Sequence, residues 1–498
     1  MAQFLVLAFP FELKLKTTRP LTSNPTRSLK ATVLDAGLAI VATDSVHFDS
    51  NLPHYGTHGG VLRDPTERGR IVSPPLMWAE ALDLLLSRLR SRADLRRVAA
   101  VSGSAQQHGS VYWAKGAATA ALDPARGLAP QLAGAFAAPE SPVWMDSSTA
   151  AQCREVEAAM GGPLRLAALT GPEVYDATER VSLVSSFMAS LLVGGYACID
   201  ETDGAGMNIM DINTRQLRED ALQATAPNLE GRIGKLAPAH AVAGKVAPYF
   251  VQRFQFASSC LVIQWSGDNP NSFAGLTLSN PGDLAISLGT SDTVFGITDS
   301  PEPTLEGNIF PNPVDPKTYM VLLCYKNGSL TREDHRDRYA ERSWDTFNRL
   351  LEETAPLNGG KLGFYYKEHE ILPPLPDSAS LGAALRAAHG WLCNQEDKFV
   401  PFSYVYSGRL DTSALSMQLA VPFGDCDEDT ELLNKYTLLV KKRLEIEQKL
   451  IERFSYLSNI LGTALNGVVH PPRNAYAMHV MLVNGILLNI VRLLQGWP

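Results

Sequence analysis

The chain has 498 residues, 45% hydrophobic and 19% charged, enough for two or three domains with large cores. A formal net charge of −8 argues against a nucleic-acid binder, which carries a basic face, and suits a protein that handles a neutral metabolite. The six cysteines (Cys153, Cys198, Cys260, Cys324, Cys393, Cys426) include no CxxC pair and no Cys/His cluster. No metal site is therefore read, and reduced, mostly buried thiols of a cytoplasmic protein are expected.

Along the chain, the apolar stretch from Phe4 to Phe11 lacks the basic lead of a secretory signal. Residues 14–32 are basic, Ser/Thr-rich and free of acid, which leaves an organellar transit peptide and an atypical terminus both open. Residues 30–48 predict a hairpin turning at Asp35-Ala36-Gly37. Leu76, Ala79, Leu82, Leu85, Leu86 and Leu89 recur at helical spacing, so 74–90 predicts an amphipathic helix. Residues 97–103 then read as a strand. In the second half, 261–265, 284–288 and 293–298 read as strands. This order predicts layered α/β sheets in two related halves around a cleft.

Residues 378–390 predict a short Ala/Leu helix. Residues 431–461 predict a long helix with a stripe at Leu439, Ile446, Leu450, Phe454, Leu457 and Leu461. That helix is either a surface helix or a coiled-coil seam through which the chain self-associates. Residues 480–494 are very apolar but fall short of the roughly 20 residues of a membrane span, so a buried or partner-bound helix is expected and no membrane partner.

Four islands set small residues beside polar ones, most of them after an apolar run: 102–113, 144–149, Gly267-Asp268-Asn269-Pro270, and 287–292. Such segments let backbone approach a ligand closely. Asp268, after a strand-like run and flanked by Gly267, is placed to orient a sugar hydroxyl and accept its proton during phosphoryl transfer. Gln106, Gln107 and His108 precede Gly109 and can hydrogen-bond several hydroxyls of a polyol. Gly289-Thr290-Ser291 offers consecutive N–H groups and two hydroxyls as a phosphate cradle. Asp146 is either an active-site or Mg²⁺ carboxylate or a capping residue before Ser147 and Ser148. Trp113 and Trp144 either face a sugar or pack in the core.

Together these islands, with Val46-His47-Phe48-Asp49, residues 179–187 and Gly204-Ala205-Gly206-Met207-Asn208, resemble the xylulokinases, a branch of the FGGY-type carbohydrate kinases. The resemblance covers residues 26–376 and, more weakly, 378–453. It implies two actin/hexokinase-like (ribonuclease H-like) ATPase domains around a cleft, the second incomplete, with a helical C-terminal region. It implies phosphorylation of D-xylulose to D-xylulose 5-phosphate with ATP and Mg²⁺. By resemblance, His108, Gln107, Asp268 and Asn269 bind the sugar, Asp268 is the base, and Trp344 lies beside the nucleotide with Gly289, Thr290 and Ser291.

The domains read as 1–25 (an atypical terminus), 26–250, 251–453 (incomplete near 376), and 454–498 (a divergent tail). Three family pieces are missing. Residues 23–27 stand where the family has its phosphate turn. Gly171 runs directly into Pro172, which deletes a segment with a sugar-binding Arg. Pro376 runs into Asp377, which deletes the adenosine loop. These losses keep two alternatives in view: a non-catalytic sugar-binding or interaction protein, and a kinase for another ketose or polyol.

Overall fold

In the computed structural model, the apolar runs of the first half become one mixed seven-stranded sheet. The structure describes residues 3–8, 28–67, 69–117, 121–148, 172–278, 280–288, 292–302, 307–325, 328–354 and 378–406, and residues 435, 438, 442 and 445.

Strand β1 (Gln3–Ala8) lies inside the sheet, antiparallel to β2 (Ser28–Asp35). Strand β3 (Ile40–His47) follows β2 as the predicted hairpin. Its turn is held by Asp35, whose Oδ1 accepts from the N–H groups of Gly37 (2.8 Å) and Ala39 (3.0 Å) while Leu38 takes φ 66°.

Within the terminus read as atypical, residues 1–25, Gln3–Ala8 is thus a sheet strand. Phe4 and Leu5 are core residues, and β1 pairs on both edges. Ser28 to Thr32, the end of the stretch with transit-peptide composition, is likewise strand, paired throughout to β3 and from Lys30 onward also to β1.

Helix α1 (Pro75–Leu89) matches the predicted amphipathic helix, starting at a proline suited to the first turn and burying Met77, Trp78, Leu82, Leu85, Leu86 and Leu89. Strand β4 (Val98–Ala105) runs parallel to β1. Strand β5 (Ser110–Ala114) pairs with β6 (Thr178–Leu183) in a separate two-stranded ribbon. Trp113 on β5 is fully buried against Phe136 and Phe187 and donates to Ser182 Oγ (3.1 Å). That settles it as a core residue, while Trp144 is half-buried.

Helix α2 (Val184–Val193) is buried almost all round. After the short helix α3 (Glu201–Ala205) come β7 (Val242–Lys245), β8 (Leu261–Ile263), β9 (Ser266–Gly267) and helix α4 (Asp268–Gly275). The sheet order is β7-β8-β4-β1-β2-β3, with β9 also on β4. Strands β8 and β9 run parallel to β4.

The chain divides into two compact units. The first comprises 1–283, 297–321 and 373–416, and the second 284–296, 322–372 and 417–498. The first unit runs to Asp283 because β8, β9 and α4 complete its sheet and its helix layer. In the second unit, β10 (Leu284–Leu288) and β11 (Asp292–Thr298) form an antiparallel pair, and helices α5 (Gly328–Tyr339) and α6 (Trp344–Glu353) follow.

Helix α7 (Ser378–Glu396) returns to the first unit and packs on α4, β1 and β4. It runs six residues past Gly390, the predicted end. A Cβ on Gly390 would stand 2.5 Å from Ile263 Cγ2 and 2.9 Å from His240 O, so glycine here permits close packing instead of ending the helix.

Of the predicted helix 431–461, Lys435, Leu438, Lys442 and Glu445 are helical; its other residues and 480–494 lie outside the described residues. No helix among the described residues is long and apolar enough to cross a membrane.

Candidate active site

The site follows from strand register. Strand β9 pairs in parallel with the end of β4, Ser266 opposite Ser104 and Gly267 opposite Ala105. Two residues further on, the chains leave the sheet side by side, so Gln107 comes beside Asn269. The carboxyl ends of parallel strands are where α/β sheets place ligands.

Gly267 makes this approach possible. A Cβ there would lie 2.3 Å from Gln107 Cγ and 2.8 Å from Asp203 Oδ1. Asp268 then opens α4, its carboxyl only 5% exposed. Asn269 donates from its backbone N–H to Asp268 Oδ1 (2.9 Å) and from Nδ2 to Gln107 Oε1 (2.8 Å). Gln107 Nε2 donates to Asp203 Oδ1 (3.3 Å), and Ser185 Oγ donates to Asp203 Oδ2 (2.6 Å).

Beneath this row lies a second buried layer. Ser266 Oγ donates to Asp200 Oδ2. Arg386 on α7 faces that carboxylate at 3.6 Å and donates to Asn271 Oδ1 (3.1 Å), Ala239 O (2.9 Å) and Gln264 O (3.4 Å). Asn271 in turn donates to Gly103 O (3.3 Å) and Gly267 O (2.7 Å), which ties α4 to the ends of β4 and β9.

Three carboxylates and one guanidinium therefore sit out of water. Burial pushes Asp268 up to about 8; the neighbouring Asp203 charge adds to the rise, while the N–H groups of Asn269 and Gln107 oppose it. Burial pushes Asp203 up to about 7, against the hydrogen bonds from Ser185 and Gln107. Burial also raises Asp200 and depresses Arg386, and each charge offsets part of the penalty on the other. His108 stands at φ 63°, a backbone region histidine enters more readily than most residues. Its imidazole is pulled below the ordinary range, chiefly by lost hydration, with the Gly206 backbone working the other way.

Asp268, Asn269 and Gln107 thus meet in one hydrogen-bonded row, with His108 next in the chain. Both ends of the Gln107 amide are taken up inside the row. Trp344 belongs to the second unit, where it is 42% exposed and the Arg336 guanidinium stands 4.7 Å from its ring centre. Gly289, Thr290 and Ser291 lie outside the described residues.

Asp146 holds the local turn and ties it to Ile71. Its Oδ1 accepts from Ser148 N (3.0 Å) and Oγ (2.6 Å), and its Oδ2 from Ile71 N (2.7 Å). Among the described residues no group of His, Cys, Asp and Glu side chains could hold a metal ion.

Sequence reasoning missed Ser185, Asp200, Asp203 and Arg386. The readable signal for Arg386 is a lone cation on an otherwise Ala/Leu-rich helix. Ser185 lies within a stretch carrying the resemblance, and Asp203 directly precedes another.

No family model matches the chain. It is 50% identical to Xylulose kinase 2 of Arabidopsis thaliana over 545 residues, covering 87% of this chain and 97% of that one. It is 47% identical to the xylulose kinase of Mus musculus over 372 residues, covering 70% and 67%. The longer match spans 545 residues yet draws on only 87% of a 498-residue chain, so more than a hundred of its positions face gaps here.

Among solved structures, the ligand-bound xylulose kinase from Lactobacillus acidophilus aligns with a TM-score of 0.54 at 14% identity, covering 80% of this chain and 79% of that one. The xylulose kinase from Rhodospirillum rubrum aligns at 0.55 and 14%, covering 79% of each. These likenesses show the fold, that of the FGGY sugar kinases with their two actin/hexokinase-like α/β units. Half-identity across nearly the whole of a relative's length shows more than fold: the chain belongs to the xylulose kinase family of carbohydrate kinases.

Proposed function

We propose that this chain transfers the γ-phosphoryl group of MgATP to a hydroxyl of D-xylulose, giving D-xylulose 5-phosphate and ADP. The hydroxyl oxygen attacks the γ-phosphorus in line, the bond from that phosphorus to the β,γ-bridging oxygen breaks, and the hydroxyl proton passes to Asp268. The observation that carries this reading is the Asp268 carboxyl, buried at the start of α4 and pushed up to about 8 by that burial. A base with its pKa near the working pH accepts a proton with most advantage.

Asn269 and His108 take sugar hydroxyls. Gly289, Thr290, Ser291 and Trp344 are assigned to the nucleotide on family resemblance, and Mg²⁺ arrives with ATP as part of that substrate. The buried thiols of Cys260 and Cys393 fit a reducing compartment, the cytoplasm.

The many relative positions that face gaps favour a second reading, a sugar-binding protein that no longer turns over. The test is ADP release by the purified chain with D-xylulose and with a panel of other ketoses and polyols. Release that depends on D-xylulose supports the kinase. Binding of D-xylulose without ADP release supports the second reading, and release with a different ketose alone overturns the substrate assignment.

A further inference from the structure

We infer that Asp203 is a positioning residue, one that fixes through Gln107 which end of the Asn269 amide faces the sugar. The inference rests on the sugar site proposed above and assigns a role to a residue that lies one step behind it.

A carboxylate only accepts hydrogen bonds, whereas a primary amide has one accepting end and one donating end. Asp203 receives Ser185 Oγ–H at 2.6 Å on one oxygen and Gln107 Nε2–H at 3.3 Å on the other. With its NH₂ end held toward Asp203, Gln107 turns its carbonyl oxygen toward Asn269. Asn269 Nδ2 meets that oxygen at 2.8 Å and lies 3.5 Å from Asp268 Oδ1. The donating end of Asn269 is therefore occupied twice. Its Oδ1 has no partner among the described residues, on a residue that is only part-buried and adjacent to the base.

The row thus has a direction, set at its buried end by Asp203 in its ionised form, whose two oxygens accept from Ser185 and Gln107. Its outer end is an acceptor, which takes a sugar hydroxyl and turns away a ketone oxygen. Reversal of the row would present an NH₂ group and the opposite preference.

Two features keep the row in register. Gly267 leaves room that a Cβ would deny to both Gln107 and Asp203. Arg386, Asp200 and Asp268 are the charged groups that act on Asp203 from the helices and loops around it.

The test is calorimetric binding of D-xylulose and its monodeoxy analogues to the wild type, Asp203→Asn and Gln107→Met. In the wild type, removal of one particular hydroxyl should cost about tenfold or more in affinity, the loss of a single good hydrogen bond. Both variants should bind D-xylulose about tenfold more weakly, yet bind that one deoxy analogue as the wild type does. Where Asp203→Asn does not fold, as read by its melting curve, the Gln107→Met pattern decides. Equal weakening toward every ligand, or unchanged affinity for D-xylulose, would overturn the inference while leaving the kinase reading intact. A wild type that binds no ketose would overturn both.

Discussion

Replacing Arg386 by Met tests whether helix α7 holds the site's foundation. Arg386 is 1% exposed and Asp200 fully buried. The guanidinium contacts one carboxylate and three carbonyl oxygens, those of Asn271, Ala239 and Gln264. Met fills most of the volume but leaves Asp200 with only neutral donors, the Ser266 hydroxyl and the Thr202 and Asp203 N–H groups. Breaking a buried pair by removing one partner costs about 3–5 kcal/mol, a large share of a domain's total stability.

The reciprocal change, Asp200→Asn, should also destabilise, because it strands the guanidinium. The double variant Asp200→Asn/Arg386→Met removes both charges and should recover about 2 kcal/mol or more relative to the sum of the singles. Urea unfolding followed by tryptophan fluorescence reports on this unit through the buried Trp78, Trp113 and Trp265. A loss below about 1 kcal/mol for Arg386→Met, or simple additivity in the double variant, would refute the paired-charge account.

Gly267→Ala should lower kcat/KM by about tenfold or more with unchanged far-UV circular dichroism, since φ is −65° and the harm comes from crowding Gln107 and Asp203. Asp146→Ala should cost about 1–2 kcal/mol in a melting experiment and leave kcat within about twofold, because its carboxylate is taken up by Ile71 N and by Ser148 N and Oγ. The pH profile of kcat/KM should rise to a plateau above about 8, where Asp268 loses its proton. Stability runs the other way. The folded carboxyl binds its proton more tightly than the unfolded one, so its contribution is full below pH 3.8 and is lost as pH rises to about 8. Between those limits Asp268→Asn should flatten the fall in urea midpoint.

Much of the sheet was readable because local chemistry and fold agree. The Asp35 turn, the stripe of α1 and the strand before the first island each carry their own signal. The place of Asp268 was readable because an acid flanked by Gly267 after a strand-like run marks where the chain leaves the sheet. The sheet position of β1 was not readable from Gln3–Ala8 alone. Its place in the sheet comes from pairing with β2 and β4, which no local pattern reports.

Gly390 misled for a related reason. Within a helical pattern a glycine signals either an end or a close approach, and only the packed neighbour Ile263 distinguishes them. Asp203 and Arg386 were missed because the contacts that place them in the site are remote in sequence: Gln107 lies 96 residues from Asp203, and Asn271 lies 115 from Arg386. Gln107 reads as a sugar ligand by type; its amide also bonds Asp203 and Asn269, contacts that register creates and spacing does not show.

The central claim is that Asp268 takes the proton of the reacting hydroxyl. The most direct test compares Asp268→Asn with the wild type in D-xylulose-dependent ADP release, with D-xylulose affinity and urea midpoint measured alongside. The account predicts a kcat lower by about 10²-fold or more with sugar binding and folding retained. A variant that turns over at the wild-type rate would contradict it.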